Sequence, residues 1–177
     1  MDTYADLPTV SIGLLLLRVV VGLIMAAHGA QKLLGWFGGY GLRGTGEFFV
    51  QLGFQPGPAF AAAASISEII SGLLVTFGFL GPIGPALMIS VMIVAAVTVH
   101  WEHGLFAGTN GIEIPLLYAA AALGLALTGY GQYSLDAWLG IAGRWNTTFT
   151  WVVLALGIIG GFANVALRRR PTLTART

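Results

Sequence analysis

The run VSIGLLLLRVVVGLIMAAHGAQKLL, Val10 to Leu34, is twenty-five residues long, and ionisable side chains enter it only at Arg18, His28 and Lys32. About 20 predominantly apolar residues span the hydrocarbon of a bilayer as a helix. The run is too long and too evenly apolar for a barrel strand, which alternates at every residue. Four more stretches of the same kind follow, Pro58 to Leu80, Ile83 to Val99, Ile112 to Thr128 and Phe149 to Leu167. The expected fold is therefore all-α, a polytopic membrane helical bundle.

The composition agrees. Of 177 residues, 56% are hydrophobic and 8% charged, against roughly 25% charged in soluble domains, and mean hydropathy is +0.85. Such a chain cannot cover a water-facing surface, so its first partner is the lipid bilayer. A net charge of +1 gives no electrostatic case for nucleic acid. With no cysteine in the chain, disulfides, thiolate metal sites and cysteine-held iron–sulfur clusters are excluded. The residues before Val10 carry Asp2 and Asp6 and no positive charge, so the first run is expected to be a retained helix and not a cleaved signal.

The connections refine the picture. Gly81-Pro82 allows only a tight hairpin, with Pro82 or Pro85 starting the next helix. Thr45 to Leu52 fits a short interfacial helix with Phe48, Phe49 and Leu52 toward lipid and Glu47 and Gln51 toward water; a structured loop is the alternative. The segment 131–140, GQYSLDAWLG, reads as an interfacial connector. With the C-terminus cytoplasmic, Lys32, Arg43, Arg168, Arg169, Arg170 and Arg176 lie inside. Only Arg144 lies outside, with Asp2, Asp6 and Asp136. The positive-inside rule favours this arrangement, N-terminus outside and C-terminus cytoplasmic. The Arg168–Arg170 run reads as a stop-transfer anchor on lipid headgroups.

Alternating spans bring His28, Lys32, His100, Trp101, Glu102, His103, Asn110 and Glu113 to one membrane face. Arg18 and Glu68 lie deeper, Arg18 roughly 21 Å along the axis from Lys32. A lone charge at such depth costs several kcal/mol, so the two are expected to face one another, directly or through water. Arg18, Gly22, Met25, Gly29 and Lys32 form one stripe on the first span. Ala61, Ser65, Glu68 and Gly72 form a matching stripe on the second, and Glu113, Leu117, Ala120 and Gly124 one on the fourth. The Gly157-xxx-Gly161 pair with Asn164 reads as a packing face, within the chain or in a homo-oligomer.

Each polar group also has a purely structural explanation: a register-fixing ion pair for Arg18 and Glu68, snorkelling for His28 and Lys32, a headgroup-level loop for His100 and His103. The i, i+3 spacing of His100 and His103 could place both on one metal, and His28 with His100 could ligate haem, but nothing else in the chain supports either, and no bound metal or haem is expected. Asn146-Thr147-Thr148 matches a glycosylation acceptor by chance.

Three stretches carry a family resemblance: LRVVVGLIMAAHGAQKLLGWFGGYGLRGTGEFF (17–49), SEIISGLLVTFGFLGPIGPALM (67–88) and the segment 97–136 with its VHW and NGIEIP elements. From Gly13 to Asp136 the chain resembles the DoxX family of small bacterial and archaeal membrane proteins. The resemblance implies a four-helix core, here residues 1–140, to which 141–177 add a fifth transmembrane helix and a basic tail. It implies association with quinol oxidase and thiosulfate:quinone oxidoreductase systems, or with oxidative-stress complexes that include superoxide dismutase and a sulfurtransferase. The family elements fall on Arg18, His28, Lys32, Glu68, His100, Asn110 and Glu113.

The reading that joins these is a membrane subunit of a quinone-linked oxidoreductase system. Glu68, His28 and Arg18 would take catalytic roles, and Lys32, His100, Trp101, Asn110 and Glu113 would bind the quinone. Electrons would come from a redox partner protein, since the chain holds no evident redox centre. The rival reading is a non-catalytic anchor, scaffold or assembly factor, and a proton or solute pathway ranks behind both.

Overall fold

The computed structural model describes residues 8–169. Asp2, Asp6, Arg170 and Arg176, used above for orientation, lie outside the described residues. The described residues are all-α, with seven helices: α1 Pro8–Leu34, α2 Gly41–Gln51, α3 Gly57–Phe77, α4 Ile83–Ala95, α5 Glu113–Thr128, α6 Leu135–Trp138 and α7 Thr147–Ala166. α4 runs on through a π turn, Ala96–His100, and a 3-10 turn, Trp101–His103. Among the described residues four helices are long and apolar enough to cross a membrane: Pro8–Leu34, Gly57–Phe77, Ile83–His103 and Thr147–Ala166. α5 is apolar but has 16 residues, roughly 24 Å of helix. It nevertheless runs from one end of the bundle to the other. Glu113 at its start is bonded to the loop after α4, and the Gly131–Gln132 turn beyond its end reaches Ser11 near the start of α1.

α1 and α3 form the most intimate seam, and glycine makes it. A Cβ on Gly72 would lie 2.5 Å from the Gly22 carbonyl oxygen and 2.6 Å from the Ala26 nitrogen, and one on Gly29 would lie 2.5 Å from the Ser65 carbonyl oxygen. Only residues without side chains let the two backbones approach so far. The expected stripe on α3 is buried, Ala61, Ser65, Glu68 and Gly72, and so is that on α1 through Arg18, Gly22, Met25 and Gly29, while Lys32 at its end is half-buried.

Two expectations about faces are corrected. α5 buries Pro115, Ala122 and Leu125, whereas Leu117 is exposed and Gly124 meets nothing, so its inward stripe lies around the helix from Glu113, Leu117, Ala120 and Gly124. α2 starts at Gly41 and turns Phe49 inward against Phe54 and Ala61, not toward lipid. Asp136, in the connector before α7, is buried within the protein. Gly157 and Gly161 pack on Ala86 and Ser90 of α4 within the chain. Asn146 caps α7, accepting from the Phe149 N–H at 2.9 Å. The far end of α7 returns to the loop after α2: Arg168 Nε donates to the Leu52 carbonyl at 2.7 Å and the Arg169 N–H to that of Gly53 at 2.8 Å.

Candidate functional site

Two polar centres lie at opposite ends of the α1–α3 seam. The register explains both. Gly29 lies against Ser65 and Ile69, and Gly22 against Gly72 and Thr76. Counting on from these antiparallel contacts, position 18 falls opposite position 78, and position 32 falls about one turn from Glu68. The expected Arg18–Glu68 pair is therefore not formed. It would need a register ten residues away, roughly 15 Å of helix.

Glu68 pairs with Lys32 instead. Lys32 Nζ donates to both carboxylate oxygens at 2.6 Å. The carboxylate is 3% exposed and the lysine side chain 32%, so the acid is sealed while the cation touches the outside. His28 stands within electrostatic reach of Glu68. Its Nδ1 lies 3.2 Å from Gln31 Oε1, and its ring meets Tyr118 of α5 edge-on at 6.2 Å. The Thr45 hydroxyl donates to the Lys32 carbonyl at 3.2 Å and ties α2 to α1.

Beside the pair opens a cavity of about 270 Å³. Its wall is mainly apolar: Phe48, Phe49, Leu52 and Phe54 from α2 and its loop, Phe60 and Ala64 from α3, Val91 and Val94 from α4. Lys32, Glu68, His100, Thr98, Ser67, Ser90 and Asn164 supply the polar groups. The π turn presents His100 here, and such wide turns often sit at functional sites. His100 Nδ1 is 2.7 Å from the Asn110 carbonyl oxygen. A carbonyl only accepts, so Nδ1 carries a proton and Nε2 is the ring nitrogen left facing other partners.

The remaining expected residues serve elsewhere. Trp101 is 66% exposed. Asn110 holds His100 through its backbone. Glu113 accepts from the Ala107 N–H at 2.7 Å and shapes the loop. His103 Nδ1 lies 2.9 Å from the Val99 carbonyl oxygen. Among the described residues no three His, Asp or Glu side chains gather as a metal-binding group.

Arg18 belongs to the second centre. It is 2% exposed, donates through Nη2 to the Tyr133 carbonyl, and makes no ion pair among the described residues. Gly78 ends α3 in the left-handed conformation, φ 63°, where the guanidinium lies against it and leaves no room for a side chain. Asp136, 2% exposed, accepts from Leu80 N at 2.9 Å and from Gly81 N and Trp145 Nε1 at 2.7 Å each. This knot stitches the α3–α4 turn to the loop before α7. Burial, with the Asp136 charge second, pushes the Tyr130 phenol far above its ordinary range, against a smaller pull from Arg18. Sequence reasoning missed the knot, because a lone aspartate in an aromatic connector looks solvated.

The DoxX family model matches residues 13–101, half of the chain. The chain belongs to the DoxX family. In this DoxX protein the matched region carries Arg18, His28, Lys32, Glu68 and His100 and ends at Trp101, before Asn110 and Glu113. Comparison with curated proteins and with solved structures gives no match.

Proposed function

We propose that the chain is the membrane subunit of a quinone-linked oxidoreductase system, in sulfur or oxidative-stress redox metabolism, and that its cavity takes a quinone headgroup. The observation that carries this reading is the 270 Å³ cavity with its aromatic and aliphatic wall and, on one side, a buried carboxylate paired with a half-buried ammonium. Ligand pockets run from about 300 Å³ upward, so the space suits a flat ring and not a whole isoprenoid lipid, whose tail would lie outside. A bound quinone supplies two-electron, two-proton chemistry. Lys32 offers N–H donors to a ring oxygen, the Glu68 carboxylate is placed to take or relay a proton, and Nε2 of His100, when it carries no proton, accepts a hydrogen bond from a quinol hydroxyl. Arg18, at the other end, positions the Tyr133 loop and has no part in this site. Electrons come from a partner protein. The excess of Lys32, Arg43, Arg168 and Arg169 at the site end over Arg144 at the other supports a cytoplasmic site end in a prokaryotic cell membrane.

Purification in native lipid followed by mass spectrometry tests this. Quinone should accompany the wild-type protein and be lost from Ala64→Phe, which fills the cavity. Glu68→Gln should abolish quinone-dependent turnover with folding intact. A stoichiometric protein partner without any quinone would establish the scaffold reading in its place.

A further inference from the structure

Lys32 borders two spaces. On its outer side lies an open cleft of about 630 Å³, lined by His28, Gln31, Tyr40, Glu47 and Gln51. Lys32, Thr45 and Phe48 line this cleft and the inner cavity alike. They are a wall one side chain thick. Glu68 lies at its inner surface, 3% exposed. Toward the Arg18 end the interior closes: Met25, Ser71, Val75 and Met88 are 0% exposed. Water therefore does not meet Glu68 from the Arg18 end.

The geometry points to Lys32, Thr45 and Phe48 as a gate, and to the cleft as the vestibule through which Glu68 exchanges protons with the aqueous phase at the Lys32 end alone. Starting from the ion pair, the ammonium donates an N–H proton to the carboxylate, Glu68 releases that proton to the cavity, and the Lys32 amine takes a proton from vestibule water, leaving hydroxide there and restoring the pair. His28 stands on the vestibule wall, in electrostatic reach of Glu68. The inference deepens the function proposed above and rests on it for the use of the proton. Its test reads water access and not quinone.

The chain has no cysteine, so each introduced cysteine is the sole thiol. Ser67→Cys reports the cavity, Ser71→Cys the sealed interior and Gln51→Cys the vestibule. A membrane-impermeant maleimide is applied to either side of sealed vesicles. Gln51→Cys should react readily from the Lys32 side in every background. Ser67→Cys should react slowly from that side and about tenfold faster once Phe48→Ala thins the wall, because thiol labelling follows access. Ser71→Cys should stay unlabelled from both sides until the protein is denatured. Phe48→Ala leaves the ion pair in place, and Lys32→Ala repeats the comparison with the pair removed. The gate is overturned if Ser67→Cys reacts equally fast with and without the wall, or reacts from the Arg18 side. Absence of quinone would sink the redox reading and leave this labelling pattern unchanged.

Discussion

Removing Lys32 and removing Glu68 are not equivalent changes. Lys32→Met leaves a carboxylate almost fully buried with no counter-ion, whereas Glu68→Gln leaves a lysine that can turn outward. Loss of one partner of a buried pair costs about 3–5 kcal/mol, and the partial exposure of Lys32 reduces this to about 2–4 kcal/mol. Lys32→Met should therefore lower the melting temperature in detergent more than Glu68→Gln, and the double variant should regain most of the loss. Tyr130 gives a pH signature. Its folded-state pKa lies above the value of about 10 in an unfolded chain. Below that pH both states keep the proton; above it the unfolded chain sheds its proton first, and stability falls as pH rises. Alkaline melting curves should fall less steeply for Tyr130→Phe, and its absorbance titration should show less late-ionising tyrosine. At this scale the sequence revealed which residues are buried and polar, but not their partners. Lys32 and Arg18 both offered a cation to Glu68, and depth alone could not choose between them.

The choice is made by helix α1 against α3. Gly22 and Gly29 are seven apart, as are Ser65 and Gly72, and matching them antiparallel sets Lys32 near Glu68 and Arg18 near Gly78. That signal was in the sequence, in the spacing of small residues and not of charges. Gly72→Val should lower stability by about 1–3 kcal/mol, because its contacts are backbone atoms that cannot move aside. Gly124→Ala, which meets nothing, should be neutral or raise stability by up to about 1 kcal/mol through helix propensity. Thermal unfolding of the two in one detergent checks both. α2 was legible as a helix from its amphipathic spacing. Its apolar face had two possible apolar surroundings, lipid or the cavity, and periodicity does not distinguish them.

Across the whole molecule, α5 decides the topology. It falls below the length of a usual span, yet its two ends bond to opposite ends of the bundle. Counted as a fifth traverse beside α1, α3, α4 and α7, it predicts that reporter domains fused to the two termini fall on opposite sides of the membrane. Both reporters on one side would show that α5 does not cross. The number and order of the apolar segments were readable from hydropathy. The knot at Asp136 and the return of Arg168 and Arg169 to the loop after α2 were not, because they depend on distant chain meeting backbone groups. The wide turn at Ala96–His100 also matters for how the gene can vary. Such a turn holds one residue more than the regular spiral needs. Excising any single residue between Ala96 and Val99 would regularise α4 and leave the flanking turns on their present faces, because the wide turn has already absorbed the extra residue. An insertion in the regular turns of α4 has no such slack: it would swing the imidazole through about 100° and take His100 from the chamber without any substitution there.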